Sequence, residues 1–166
     1  MPNTFELIAS NTVGSGGAAT VTFSSIPSTY TDLCLKGSIR WEGNVNFCYI
    51  SFNGSSANFT ERRLYGSGSA TGSQSDTGNN ALLGVADANT ANTFSNGEIY
   101  IPNYAGSTNK SFTVDTVQEN NATAAFAFMI AGLWSNTSAI TSITLTPDTY
   151  DFAQHSTFYL YGVKNA

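Results

Sequence analysis

The stretch IPNYAGSTNKSFTVDTVQENNATAAFAFMIAGLW, residues 101–134, decides the fold. It opens on the end of one apolar strand, crosses an Asn-Tyr-Ala-Gly-Ser-Thr-Asn loop, continues through an alternating segment and closes on a run of aromatic and aliphatic residues. The loop residues tolerate left-handed backbone or fix local turns. In 110–119 the apolar Phe112 and Val114 alternate with Ser111, Thr113 and Asp115, the step-of-two pattern of a half-buried strand. Residues 124–134 also fit one helix face, through Phe126, Met129, Ile130, Leu133 and Trp134. Turn-forming Asn120-Asn121 before them and Ser135-Asn136 after them favour a strand.

Register sharpens this reading, because a slip of one residue exchanges the two faces of a strand. A two-residue loop at Asn120-Asn121 would pair Asp115 with Phe126 and Thr113 with Phe128, setting polar groups beside aromatics. A three-residue loop over 120–122 instead pairs Phe112 with Ile130 and Val114 with Phe128. The odd loop is expected, with a bulge in which an Asn takes the left-handed conformation. Ser111, Thr113, Asp115, Ala125 and Ala127 then share the opposite face, small or polar, suited to solvent or to a closely approaching neighbour.

Outward from this hairpin, the same alternation predicts strands over 5–13, 19–23, 31–40, 45–53, 94–102, 110–119, 123–134, 140–147 and 157–163. Residues 81–86 are too short and Gly-interrupted to assign. The segment GSGSATGSQSDTGNN, 66–80, is low in complexity and reads as a long loop without structure. Roughly ten strands with turn signals about every ten residues imply an all-β fold. The expected architecture is one domain over 1–166, an antiparallel two-sheet β-sandwich with a jelly roll as the leading topology.

Composition narrows the function. Charged residues are 10% of the 166, against about 25% in a typical domain, while hydrophobic residues reach 41% and aromatics 13%. Little electrostatic repulsion keeps copies of such a surface apart. A net charge of -5, with Arg62-Arg63 the one adjacent cationic pair, disfavours nucleic acid. No apolar run approaches the roughly 20 residues of a membrane span. Met1 to Thr4 lacks a basic, apolar secretion signal, so synthesis in a cytoplasm is expected. Cys34 and Cys48, each inside a strand-like segment, read as buried free thiols.

No pattern points to catalysis. Most of Glu42, Glu61, Glu98, Glu119, Asp115, Asp148 and Asp151 are expected to be solvated, and no spacing among them enforces a glycosidase pair; Glu98 is the residue to test for one. His155 stands alone, without a nucleophile elbow, and Asp148 and Asp151 supply too few oxygens for calcium. No cofactor and no metal are expected.

The cluster Phe59-Thr60-Glu61-Arg62-Arg63-Leu64-Tyr65 sets cations beside aromatics. It reads either as a protein contact or as an edge strand whose Arg pair satisfies Glu61. Trp41 sits at a hairpin tip, either folded back or offered to a partner. The candidate interface residues are therefore Trp41, Arg62, Arg63, Tyr65 and Tyr104.

The segments FELIASNTVGSGGAATVTFSSIPSTYTDL, RRLYGSGS, IYIPNYAGSTNKSF and ENNATAAFAFMIAGLWSNTSAITSITLTP resemble a family of small virion proteins of tailed bacteriophages, especially those of cyanobacteria. The resemblance spans nearly the whole chain and implies a jelly-roll structural protein without catalytic residues. It implies a capsid decoration, or cement, protein that forms a homotrimer and bridges subunits of the major capsid protein on the virion surface. The alternative is a tail-fibre module binding host glycan through Trp41, Tyr65 and Tyr104. The absence of a coiled-coil or repeat shaft counts against it.

Overall fold

The computed structural model describes residues 4–44, 47–86, 89–119, 121 and 125–164. Twelve strands form among them: β1 (Phe5–Thr12), β2 (Val21–Phe23), β3 (Asp32–Ile39), β4 (Phe47–Phe52), β5 (Phe59–Gly66), β6 (Thr71–Asp76), β7 (Asn80–Leu83), β8 (Ser95–Pro102), β9 (Lys110–Gln118), β10 (Phe126–Trp134), β11 (Ile143–Pro147) and β12 (Thr157–Val163). They make two antiparallel sheets packed as a sandwich. The larger has the order β1-β12-β3-β8-β9-β10-β5-β6, the smaller β2-β11-β4-β7. This division of eight and four differs from the two four-stranded sheets of a simple jelly roll.

Alternation explains the layers. Leu33, Leu35 and Ile39 of β3, Ile99 and Ile101 of β8, Phe112 and Val114 of β9, and Ile130 and Trp134 of β10 are buried and face Ile50 and Phe52 of β4 and Ile143 and Leu145 of β11. At the centre Phe52 lies 5.4 Å from Phe59, 5.7 Å from Phe112 and 5.4 Å from Trp134, ring centroid to centroid. Such aromatic pairs each contribute about 1 kcal/mol beyond the area they bury. The NYAGSTN loop packs inward too. Asn103 takes φ of 50° there, and the Tyr104 hydroxyl donates to the Pro27 carbonyl.

The β9-β10 register corrects the expected pairing. Faces are as expected, with Phe112, Val114, Ile130 and Trp134 inward, and Asp115 lies opposite Met129 rather than Phe126. But Phe112 pairs with Gly132, Val114 with Ile130 and Thr116 with Phe128, one position further along each strand than predicted. Shape is the reason. A Cβ on Gly132 would stand 2.2 Å from Phe112 Cζ, so the ring lies across the glycine and fills the space that a side chain would occupy. Asn121 takes the left-handed conformation, with φ of 54°. Asn120, Ala122 and Thr123 of the predicted loop and strand start lie outside the described residues, as does Val45.

The second correction is β6, in a segment expected to have no structure. Ser67 and Ala70 close a turn, with Gly68 at φ of 81°, and Thr71–Asp76 then returns alongside β5. An edge strand with mostly exposed side chains needs no apolar alternation, since backbone pairing alone holds it. Tyr65 lies across Gly72, where a Cβ would meet the tyrosine Cζ at 2.5 Å. The unassigned 81–86 segment contributes β7, whose Ala81 and Leu82 are fully buried.

Candidate interaction face

The smaller sheet covers one side of the larger sheet. The other side of β6, β5, β10 and β9 is the candidate site. Period-two alternation sends Arg62 and Leu64 of β5, Ala127, Met129 and Ala131 of β10, and Thr113, Asp115 and Val117 of β9 outward. Cross-strand pairing lines them up: Leu64 with Met129 and Met129 with Asp115, Arg62 with Ala131 and Ala131 with Thr113, Ala127 with Val117. Leu64 is 60% exposed, Met129 61% and Val117 41%, among the most exposed large apolar side chains described. They form a stripe about three strands wide, or roughly 10 Å between its outer strands.

Opposite charges flank the stripe. On the β5 side Arg62 donates to the carbonyl of its own neighbour Glu61 at 2.8 Å and has no carboxylate partner among the described residues. On the β9 side Asp115 stands directly opposite Glu98 of β8, a like-charge pair that costs stability unless a cation is near. Lys36 reaches Glu98 at 3.0 Å, which raises the lysine's pKa, but no ion pair of Asp115 occurs among the described residues. Shallow grooves run on both flanks, one lined by Arg62, Leu64, Ser73, Ser75 and Met129, the other by Lys36, Asn96, Glu98, Asp115 and Val117.

The five candidate interface residues divide. Trp41 is fully buried, stacked on Phe152 with centroids 5.2 Å apart, so the hairpin-tip tryptophan folds back on the core. Tyr104 is fully buried as well. Arg63 points inward, with Nε 3.0 Å from Glu61 Oε1 and Nη2 3.1 Å from Asp76 Oδ2, and its guanidinium lies over the Phe47 ring. Tyr65 is half-buried and stacked on Phe128 at 5.4 Å. Arg62 alone stands on the outer face. The cluster read as one feature is split by the pleat into an inner charged network and an outer apolar stripe.

Glu61 is not among the solvated carboxylates, and Arg63 of the adjacent pair satisfies it, as the edge-strand reading of this cluster expects. It is 1% exposed and accepts hydrogen bonds from the Asn80 backbone N–H at 3.0 Å and Asn80 Nδ2 at 2.8 Å, besides the Arg63 ion pair. Burial raises its pKa, with Asn80 and Arg63 opposing the shift. The network joins β5 and β6 of the larger sheet to β7 of the smaller, a structural role. His155 is exposed in a left-handed turn with φ of 72°. Cys34 and Cys48 are buried free thiols, and desolvation pushes both up to about 12. No group of three or more His, Cys, Asp or Glu is placed to hold a metal among the described residues.

Comparison with protein-family models, curated proteins and solved structures gives no match. The sequence reading missed Leu64, Val117 and Met129. The signal for them was present: alternation inside Glu61 to Tyr65 separates Arg62 and Leu64 from Glu61, Arg63 and Tyr65.

Proposed function

We propose that this protein is a structural component of a tailed-bacteriophage particle: a capsid decoration protein that forms a homotrimer and lies against the major capsid protein at the shell surface. The observation that carries the reading is the outer face of the larger sheet, where an apolar stripe interspersed with small residues and flanked by Arg62 and Asp115 is left uncovered. A stripe of this kind on an otherwise sparsely charged surface suits permanent contact with other protein. The resemblance of four long segments to phage virion proteins supplies the particle. Shape complementarity against the capsid and burial between copies would clamp the shell, each contact adding dissociation work that a bare shell lacks.

The glycan-binding alternative loses two of its three aromatic platforms, because Trp41 and Tyr104 are enclosed in the core. The test is to locate the density of this chain on intact particles by electron cryomicroscopy. Density on the outer shell surface is expected. Density confined to the tail, or particles that lack the chain altogether, refutes the decoration role.

A further inference from the structure

We infer that the Leu64-Met129-Val117 stripe is where copies of this chain meet, head to tail, with the β5 side of one copy against the β9 side of the next. The inference deepens the decoration reading and rests on it for the number of copies, three. What it adds is the surface, the orientation and the charge pair that fixes both.

The orientation follows from charge. Arg62 and Asp115 lie on opposite flanks of β10, about 10 Å apart across the sheet and about 7 Å apart along it. Within one chain they form no ion pair. A rotation axis in the plane of the outer face, perpendicular to the line from Arg62 to Asp115 and so inclined to β10, sets the two residues level and brings the β5 flank of each copy against the β9 flank of its neighbour. Arg62 then enters the groove of the neighbour's Asp115 and Glu98, where Lys36 pairs with Glu98 and leaves Asp115 without an ion-pair partner. Asp115, which faces Glu98 and has no ion pair within the single chain, gains its cation.

Packing agrees with this arrangement. Ala127 and Ala131, both exposed on β10, are small enough to let backbones converge at the axis, and Met129 between them is flexible enough to fill the gap that three copies leave. The groove beside Arg62, floored by Leu64 and walled by Ser73 and Ser75, has Arg62 and Arg63 as its charged residues, the latter with its side chain turned inward, and receives the neighbour's Val117. The stripe is too narrow to build a standard interface of about 800 Å² per partner as a single flat contact. In a closed ring each copy contributes two flanks, and every contact is supported by the other two.

The experiment is a charge swap read by multi-angle light scattering. The wild-type chain is expected at the mass of three 17.6 kDa chains. Asp115→Arg and Arg62→Asp, both on exposed positions, are each expected to weaken association by on the order of tenfold or more. They should shift the species toward monomer with an unchanged melting temperature of the monomer. The double variant Arg62→Asp with Asp115→Arg restores the trimer. A wild-type monomer, single variants that stay trimeric, or a double variant that stays dissociated each overturn the inference. Particle imaging separates this from the decoration role: shell-bound isolated copies remove the inferred contact and leave the role, while trimers in solution that never appear on a shell do the reverse.

Discussion

Gly132→Ala tests the register of the central hairpin and distinguishes it from the alternative that the sequence favoured. With Phe112 opposite Gly132, an added Cβ stands 2.2 Å, 2.4 Å and 2.7 Å from three atoms of the phenylalanine ring. Ordinary contact begins near 3.4 Å, so the ring must withdraw by about 1 Å. It cannot do so freely, since Phe112 is 3% exposed and wedged between Phe52 at 5.7 Å and Phe59 at 6.2 Å. Overpacking of this kind costs about 1–3 kcal/mol, of which roughly 0.4–1 kcal/mol is offset because alanine restricts the unfolded chain. A net loss of about 1–2 kcal/mol lowers Tm by about 3–8 °C in a domain of this size. Scanning calorimetry of Gly132→Ala, Phe112→Leu and the double variant measures it. In the Phe112→Leu background the alanine should be neutral or stabilising, giving a coupling of about 1 kcal/mol or more. If Gly132→Ala alone raises Tm, Phe112 does not lie over Gly132 and the pairing of Phe112 with Ile130 is reinstated.

Other variants probe the charged network, the thiols and the loop lysine. Glu61→Leu removes the acceptor of both Asn80 hydrogen bonds together with the partner of buried Arg63 and should cost about 3 kcal/mol in urea denaturation. Because burial raises the Glu61 pKa, the folded state holds its proton more tightly than the unfolded chain, so this group's contribution is full below pH 4.5 and falls as pH rises through the raised value. Glu61→Gln should flatten that part of the stability profile. Cys48, pushed up to about 12, contributes stability that is full below its unfolded pKa of about 8.5 and is lost as pH climbs toward 12. Native protein should therefore show no reaction of Cys48 with a thiol reagent at about pH 8 and complete reaction once denatured, whereas rapid native labelling contradicts its burial. Lys110, 1% exposed, donates from Nζ to the Gly106 carbonyl at 2.7 Å and to the Thr108 carbonyl. Lys110→Met leaves both acceptors unpaired and should lower stability by about 2 kcal/mol without changing the oligomeric mass.

Strand existence was legible wherever a buried face alternates with an exposed one. That covers β3, β9 and β12, where Leu35, Val114 and Leu160 mark the inner row, and the predicted limits of β12 coincide with the observed ones. It failed where one of the two signals is missing. β6 has few side chains to bury, so nothing in Thr71–Asp76 sets it apart from a polar loop; its partner strand and the Ser67–Ala70 turn define it. β7 is four residues long and its buried Ala81 and Leu82 are adjacent, so it shows no alternation. The interaction face was half legible. Small and polar Thr113, Asp115 and Ala127 were placed correctly, but aromatic and cationic residues drew attention that belonged to Leu64 and Met129. Trp41 and Tyr104 show why residue type alone misleads: a large ring at a turn is as well satisfied by Phe152, or by a carbonyl of Pro27, as by a partner.

The position of β12 sets the order in which the molecule can be completed. The last strand in sequence lies between β1 and β3, bonded to both. While a nascent chain is still short of Thr157, the row Leu33-Leu35 has no neighbour on that side, and Phe5–Thr12 has no place in the larger sheet. Completion of the larger sheet therefore waits until Thr157–Val163 has been synthesised, and closing contacts so distant in sequence is slow. During that interval the open slot accepts an extended segment from any nearby chain, so expression at high ribosome density favours strand exchange between growing copies, and shortening the chain before Thr157 leaves that slot permanently vacant.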